Sequence, residues 1–89
     1  MNRYAILVEL VNKEDMNTHG SKAFSKTTDA EKYFCELVMK NVQDVSETDM
    51  EDALDNGFID YWYELPDGNE VERSIIIKEI TFEDNIEHI

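Results

Sequence analysis

Apolar residues occupy both faces of a predicted strand near the start of the chain. Within residues 3–12, one face carries four apolar side chains and the other carries three: Tyr4, Ile6, Val8 and Leu10 on the first, Ala5, Leu7 and Val11 on the second. A strand that is buried on both faces has this pattern, so we expect it in the interior of a sheet. The polar residues 13–21 predict a loop, and residues 22–25 predict a brief second strand with Phe24 pointing inward.

A helix is predicted to follow from Thr28 to about residue 41. Thr28 and Glu31 have the spacing of a capping box, in which each side chain bonds the backbone of the other residue. Apolar residues then recur at helical spacing on one face: Ala30, Phe34, Leu37 and Val38. This periodicity is typical of a helix that packs against a sheet.

A shorter second helix is predicted to begin at Ser46 or Thr48. Acidic residues stand three positions after each candidate, and the helix has a narrow apolar side formed by Met50, Ala53 and Leu54. Asn56 and Gly57 predict where it ends, because glycine readily adopts the left-handed conformation that terminates helices.

The last third of the chain predicts a β-hairpin. Residues 58–65 are rich in aromatic side chains, with Ile59, Tyr61, Tyr63 and Leu65 on one face, and residues 70–82 form the longer partner strand. Pro66 and Gly68 lie between them and favour a turn. Residues 83–89 are predicted to be a frayed tail or a short helical turn.

Together these elements predict a single α+β domain over residues 1–89. The order is β-β-α-α-β-β, and the expected architecture is a small antiparallel or mixed sheet of three to four strands packed against one or two helices. A chain of 89 residues with 42% hydrophobic residues has material for one packed core.

Charge is distributed very unevenly along the chain. The 21 acidic and 8 basic residues give a net charge of −13, which argues against direct binding of nucleic acid. Residues 1–40 hold six acidic and six basic residues, residues 41–72 hold eleven acidic and no basic residues, and residues 73–89 hold four and two. The middle segment alone therefore carries −11, and such a concentration creates a strong directed field.

We interpret residues 44–72 as a surface that engages a basic protein partner, in a binding module without enzymatic activity. Trp62 lies on the strand face opposite Tyr61 and Tyr63, where it is either covered by a helix or exposed as an aromatic anchor among acids. The predicted partner-binding residues are Glu47, Asp49, Glu51, Asp52, Asp55, Asp60, Trp62 and Glu64.

The sharpest form of this hypothesis is imitation of the DNA phosphate backbone. Duplex DNA carries one charge per about 1.7 Å of axis, and a helix rises about 1.5 Å per residue, so clustered carboxylates can approach that density. In size and composition the chain resembles DNA-mimic inhibitors, such as phage anti-restriction proteins and inhibitors of uracil-DNA glycosylase, although no motif is shared. The resemblance implies inhibition of a nucleic-acid-handling protein, such as a host defence system, and a phage or mobile-element origin.

Two other interpretations stay open at this point. The acids can serve solubility alone, or the chain can be a structural or regulatory accessory protein that forms a homodimer through a sheet edge. A weak divalent-cation site among Asp52, Asp55 and Asp60 is a further alternative, although an EF-hand alignment through Gly57 fails at two ligand positions.

The sequence predicts no enzyme, no cofactor and no metal centre. Cys35 is the single cysteine, which excludes an internal disulfide, and only His19 and His88 could serve as a base beside a nucleophile. We find neither a signal peptide nor an apolar run of the about 20 residues needed to cross a membrane, so we expect a cytoplasmic protein.

Overall fold

The computed structural model describes the backbone of residues 2–83 and the side chains of residues 4–81. Six elements follow one another: β1 (Asn2–Asn12), β2 (Thr18–Phe24), α1 (Thr27–Asn41), α2 (Glu47–Asn56), β3 (Phe58–Glu64) and β4 (Glu70–Glu83). This is the predicted β-β-α-α-β-β order. From residue 84 onward, the predicted tail lies outside the described residues.

The four strands form one antiparallel sheet in the order β2-β1-β4-β3. β1 and β4 are the central strands and pair over eleven positions, from Asn2 opposite Glu83 to Asn12 opposite Arg73. The α+β class and the interior position of β1 are therefore confirmed. β2 and β3 are the two edges, which matters because an edge strand leaves backbone groups unpaired on its outer side.

Both helices pack on the same face of the sheet and enclose the core. The buried side chains come from three strands and both helices: Ile6, Val8, Ala30, Phe34, Val38, Ala53, Tyr61 and Ile75. The apolar helix faces expected from the spacing are the faces that pack, although Leu37, Met50 and Leu54 are only half-buried. The apolar residues of each helix, spaced three to four positions apart, thus pack against the alternate strand residues that point to the same side of the sheet.

The opposite face of the sheet carries no helix within residues 2–83, so the expectation that β1 is buried on both faces is wrong. Ala5 and Leu7 are only half-buried there, whereas Val11 is 5% exposed. The apolar residues of this open face indicated a covering layer, but the two helices share one side of the sheet.

The second strand is longer than predicted, and the loop before it is correspondingly shorter. β2 begins at Thr18, and all of its side chains except Phe24 are exposed. An edge strand that is solvated on both faces has no apolar alternation, which is why the pattern indicated a loop. The inward position of Phe24 against the core is confirmed.

The predicted capping box at Thr28 is wrong. α1 starts at Thr27, Lys26 is the residue before it, and no side chain caps this end. The backbone N–H of Ala30 already donates to the carbonyl of Lys26 at 3.1 Å, so Thr28 lies inside the first turn. β3 likewise ends at Glu64, one residue before the predicted end, because Leu65 belongs to the turn.

The Ser46 cap of α2 has the predicted geometry. The Asp49 N–H donates to Ser46 Oγ and the Ser46 N–H donates to Asp49 Oδ2, both at 3.1 Å. We expect Ser46→Ala to lower the free energy of unfolding by about 1 kcal/mol, because it leaves an N-terminal amide of the helix without its acceptor. Urea denaturation measures this change. Thr28→Ala, which removes a hydroxyl from the first turn of α1, serves as the control, and an equal effect of the two changes would contradict the assignment.

Candidate functional site

α2 and β3 form one continuous unit at an edge of the sheet. Gly57 alone separates them, with φ at 86°, and its carbonyl accepts a 2.9 Å hydrogen bond from the N–H of Ile77. Its left-handed conformation turns the chain from the helix directly into the strand. The acidic residues of the helix are thereby held beside the edge strand.

The acidic side chains of α2 all point away from the core. Ala53 is buried, Met50 and Leu54 are half-buried, and the five acids are exposed: Glu47, Asp49, Glu51, Asp52 and Asp55. At 100° per residue, Asp49 and Asp52 share one flank of the helix, while Glu47 and Glu51 lie on the other flank. The first flank faces β3, since Asp49 and Asp52 line a shallow groove together with Phe58 and Asp60.

The even-numbered residues of β3 point to the open face of the sheet. Ile59 and Tyr61 pack towards the helices, so the alternation sends Phe58, Asp60, Trp62 and Glu64 the other way. Trp62 is 63% exposed and Phe58 is 45% exposed. Helix packing therefore does not cover Trp62, and of the two positions considered for this side chain, the exposed one is present.

Lys13 forms ion pairs with two carboxylates of residues 41–72. Lys13 Nζ lies 3.0 Å from Asp60 Oδ2 and 3.7 Å from Glu72 Oε2. The hydrogen bond to Asp60 raises the pKa of Lys13. Forty-seven positions separate Lys13 from Asp60 in the chain, so the local charge pattern could not indicate this contact.

The other predicted acidic residues lack such a partner. Among side chains 4–81, no Lys, Arg or His nitrogen lies within 4.0 Å of the carboxylates of α2 or of Glu64. Asp49 has a structural role as well, since its carboxylate completes the helix cap. The structure thus brings the predicted residues to one edge of the sheet but not to one face: the α2 carboxylates lie on the helix-covered side, whereas Asp60, Trp62 and Glu64 point to the open face. Asp60 is tied to Lys13, and the other predicted carboxylates lack a cation partner among side chains 4–81. We call the set of predicted residues the acidic edge: Glu47, Asp49, Glu51, Asp52, Asp55, Asp60, Trp62 and Glu64.

An apolar groove on the open face adjoins the acidic edge and has no counterpart in the sequence predictions. It encloses about 400 Å³. Its walls include Val11, Met16, Phe58 and Ile76, and Phe58 and Asp60 line both this groove and the shallow one beside α2. The apolar residues of the open face were the available signal, but their pattern indicated burial under a second layer.

Arg73 organises the aromatic side chains on the helix-facing side of β3. Its guanidinium carbon lies 3.8 Å from the centre of the Tyr63 ring, and its Nε donates to Asn12 Oδ1 at 3.3 Å. The neighbouring Tyr61 hydroxyl is buried and has no hydrogen-bond partner among the described residues. Burial raises the pKa of Tyr61, and the charge of Arg73 opposes this change.

Removing that hydroxyl is expected to stabilise the fold. At neutral pH, we expect Tyr61→Phe to raise the free energy of unfolding by up to about 1 kcal/mol, since a buried unpartnered hydroxyl is costly. Above about pH 10 the unfolded chain releases the Tyr61 proton more readily than the folded chain, so the wild type loses stability there. The variant should lack this part of the loss in denaturation curves recorded from pH 7 to 11. Tyr4→Phe at an exposed position is the control, and equal alkaline behaviour of both variants would contradict this account.

The described residues offer little for catalysis or metal binding. Cys35 is half-buried, and burial together with the nearby Glu31 raises the pKa of its thiol, which disfavours the nucleophilic thiolate. Within residues 4–81, no group of three or more His, Cys, Asp and Glu side chains is placed to hold a metal ion, so no geometry supports a site at Asp52, Asp55 and Asp60. No helix within the described residues is long and apolar enough to cross a membrane.

Comparison of the chain with protein-family models, with curated proteins and with solved structures finds no match.

Proposed function

We propose that this chain is a non-enzymatic binding domain whose acidic edge engages a basic surface on a protein partner. The observation that carries the proposal is an exposed Trp62 next to Glu64 on the edge strand that follows α2; among side chains 4–81, neither Glu64 nor the carboxylates of α2 have a cation within 4.0 Å. Tryptophan is among the residues that most often dominate binding energy at interfaces. Surrounding charge increases the rate of encounter with an oppositely charged partner.

The arrangement of the carboxylates supports this proposal over a purely solubilising role. Acids that serve solubility need no particular place, whereas here the segment without Lys or Arg folds into adjacent elements along one edge. The concentration also carries a cost. Glu47, Glu51 and Asp55 stack at four-residue intervals, and such like-charge pairs destabilise a helix by about 0.2–0.5 kcal/mol each.

In its sharper form, the proposal is that the partner handles nucleic acid and that the acidic edge occupies the site of the phosphate backbone. The chain would then act as an inhibitor in the cytoplasm, for example of a host defence system. The row of carboxylates on α2 and β3 supports this form, because a protein that binds phosphates presents clustered Lys and Arg side chains to receive them.

A charge-reversal experiment tests the proposal. We expect Glu51→Lys, Asp52→Lys and Asp55→Lys together to abolish capture of basic proteins from a cell lysate, while the wild type retains them at about 50 mM salt and releases them near 200 mM. These three side chains are exposed and make no described hydrogen bond or ion pair, so we expect their reversal to leave the fold intact. Release by a duplex DNA oligonucleotide would support the nucleic-acid form.

The matched control reverses Glu14, Glu31 and Glu36, which are exposed and lie outside the acidic edge. The change in net charge is the same, so the control should still capture the same proteins. Equal loss of capture in both variants would indicate a non-specific charge effect and contradict the proposal. Capture that persists in the first variant, or that resists 200 mM salt, would contradict it as well.

A further inference from the structure

The outer side of β3 has free backbone hydrogen-bonding groups, and the pairing with β4 determines which residues carry them. The Ile77 N–H donates to the Gly57 carbonyl at one end of the ladder, and the Leu65 N–H donates to the Asn69 carbonyl at the other. In an antiparallel pair the bonded positions alternate, so the odd residues of β3 bond to β4. The N–H and C=O groups of Asp60, Trp62 and Glu64 therefore point outward.

Within residues 2–83, no backbone group is hydrogen-bonded to the outward N–H and C=O groups of β3. No other strand pairs with β3, and no loop or turn backbone bonds to it. A groove of about 630 Å³ runs along it, between the end of α1, where Lys40 is the one charged residue among the described lining residues, and the acidic residues Asp60 and Glu64 of β3. The space beside the free backbone groups is therefore open.

The two edges of the sheet differ in their fitness to pair with another strand. β3 holds one unbroken register with β4 over all seven of its residues. β2 has an irregularity opposite Leu10 and Val11, where His19 has no paired residue. Such bulges disrupt and twist an edge, and proteins use them to block further pairing.

We infer that β3 accepts an extended basic segment of the partner as a fifth strand of the sheet. This inference rests on the proposed function and specifies the partner. Residues directly opposite each other in paired strands point to the same face, so the new strand would face Asp60, Trp62 and Glu64 with alternate side chains. The complementary pattern is a basic residue, any residue, an apolar residue, any residue and a basic residue.

Charge makes a second copy of this chain the less suitable occupant. It would bring another Asp60 and another Glu64 onto the same narrow strip, and like charges on paired strands are destabilising. A basic segment instead neutralises Glu64, which has no described cation partner, and competes with Lys13 for Asp60.

The test uses the blocked peptide Thr-Lys-Thr-Val-Thr-Lys-Thr as the probe and NMR amide exchange as the readout. We expect the amides of Trp62 and Glu64 to exchange fast in the free protein and to become protected when the peptide binds. The amides of Tyr61 and Tyr63 are already bonded to β4 and serve as internal controls. A peptide with glutamate in place of lysine should have no effect.

Two variants separate backbone pairing from charge attraction. Glu64→Ala and Glu64→Pro both remove the carboxylate, but only proline also removes the outward N–H. An edge strand tolerates proline at a position whose N–H points to solvent. We expect proline to weaken peptide binding about fivefold relative to alanine, comparable to losing one backbone hydrogen bond. Thermal unfolding checks that both variants fold, and the exchange experiment on the wild type stands if the proline variant does not.

Each result has a distinct meaning. Peptide-induced shifts confined to α2, without protection of Trp62 and Glu64, would overturn strand addition and leave the proposed charge-driven binding in place. No shift anywhere at millimolar peptide would overturn strand addition, whereas failure of the lysate experiment would overturn the proposed function itself. Protection of the same amides by raising the protein concentration alone would show that a second copy occupies the edge, and would overturn the assignment to a basic segment.

Discussion

Replacing Phe34 with alanine is expected to lower the free energy of unfolding by about 3–5 kcal/mol. The Phe34 side chain is 0% exposed and belongs to the core cluster between α1 and the sheet. Its removal forfeits burial of a large apolar surface and leaves a cavity that the surrounding side chains fill only in part. A chain of this length has a total stability on the order of 5–13 kcal/mol, so the variant should lose between about a quarter and all of it.

Denaturant titration followed by circular dichroism measures this loss. Met39→Ala on the same helix is the matched control, because the Met39 side chain is 70% exposed. We expect the control to change the free energy of unfolding by less than about 0.5 kcal/mol. Comparable losses in the two variants would contradict the placement of the core.

Replacing Gly57 with alanine is expected to cost about 2–3 kcal/mol, because two effects combine. The φ angle of 86° is one that side chains disfavour, and an added Cβ would lie 3.2 Å from the carbonyl oxygen of Ile77, a backbone atom. That carbonyl belongs to the central strand β4, which cannot move aside cheaply. The same change should weaken partner binding, because Gly57 sets the position of α2 against β3.

The other glycines separate the two effects. Gly68 also has a positive φ, 92°, but an added Cβ meets nothing within 4 Å, so Gly68→Ala should show the conformational cost alone. Gly20 has neither problem, and Gly20→Ala should be neutral or slightly stabilising. The expected order of thermal midpoints is thus Gly20→Ala above Gly68→Ala above Gly57→Ala. Any other order would contradict the account of the junction.

Most signals that act within one turn of the chain predicted the structure well, although the Thr28–Glu31 spacing wrongly predicted the cap of α1. Ser46 with Asp49 and Gly57 at the end of α2 have their roles because the relevant atoms lie a few residues apart. The aromatic strand and its turn were predicted for the same reason, to within one residue at the end of β3. Local chemistry of this kind does not depend on the rest of the fold.

Features that depend on distant parts of the chain were missed. The contact of Lys13 with Asp60 requires β1 and β3 to lie on the two sides of β4. The first six residues of β2 gave no apolar signal because their side chains are exposed on both faces of this edge strand. The apolar residues of the open face led to the wrong prediction that this face is buried. Side-chain patterns indicate which faces of a strand are apolar, but not on which side of the sheet the helices pack.

The placement of the acidic residues could be predicted only in part. The sequence showed that residues 41–72 lack Lys and Arg, and it placed Trp62 opposite Tyr61 and Tyr63. It could not show that α2 would pack beside an edge strand, which brings the carboxylates of two elements together. That depends on the strand order β2-β1-β4-β3.

The ten-residue length of α2 makes the negative field conditional on folding. Helices shorter than about 12–15 residues are marginal in water by themselves, and repulsion among its acids weakens this one further. Denatured or proteolysed copies therefore keep every carboxylate but lose their spacing. A partner that requires that spacing binds native molecules and not damaged ones. Titrating a preparation of the protein with this partner would therefore measure the fraction of native molecules.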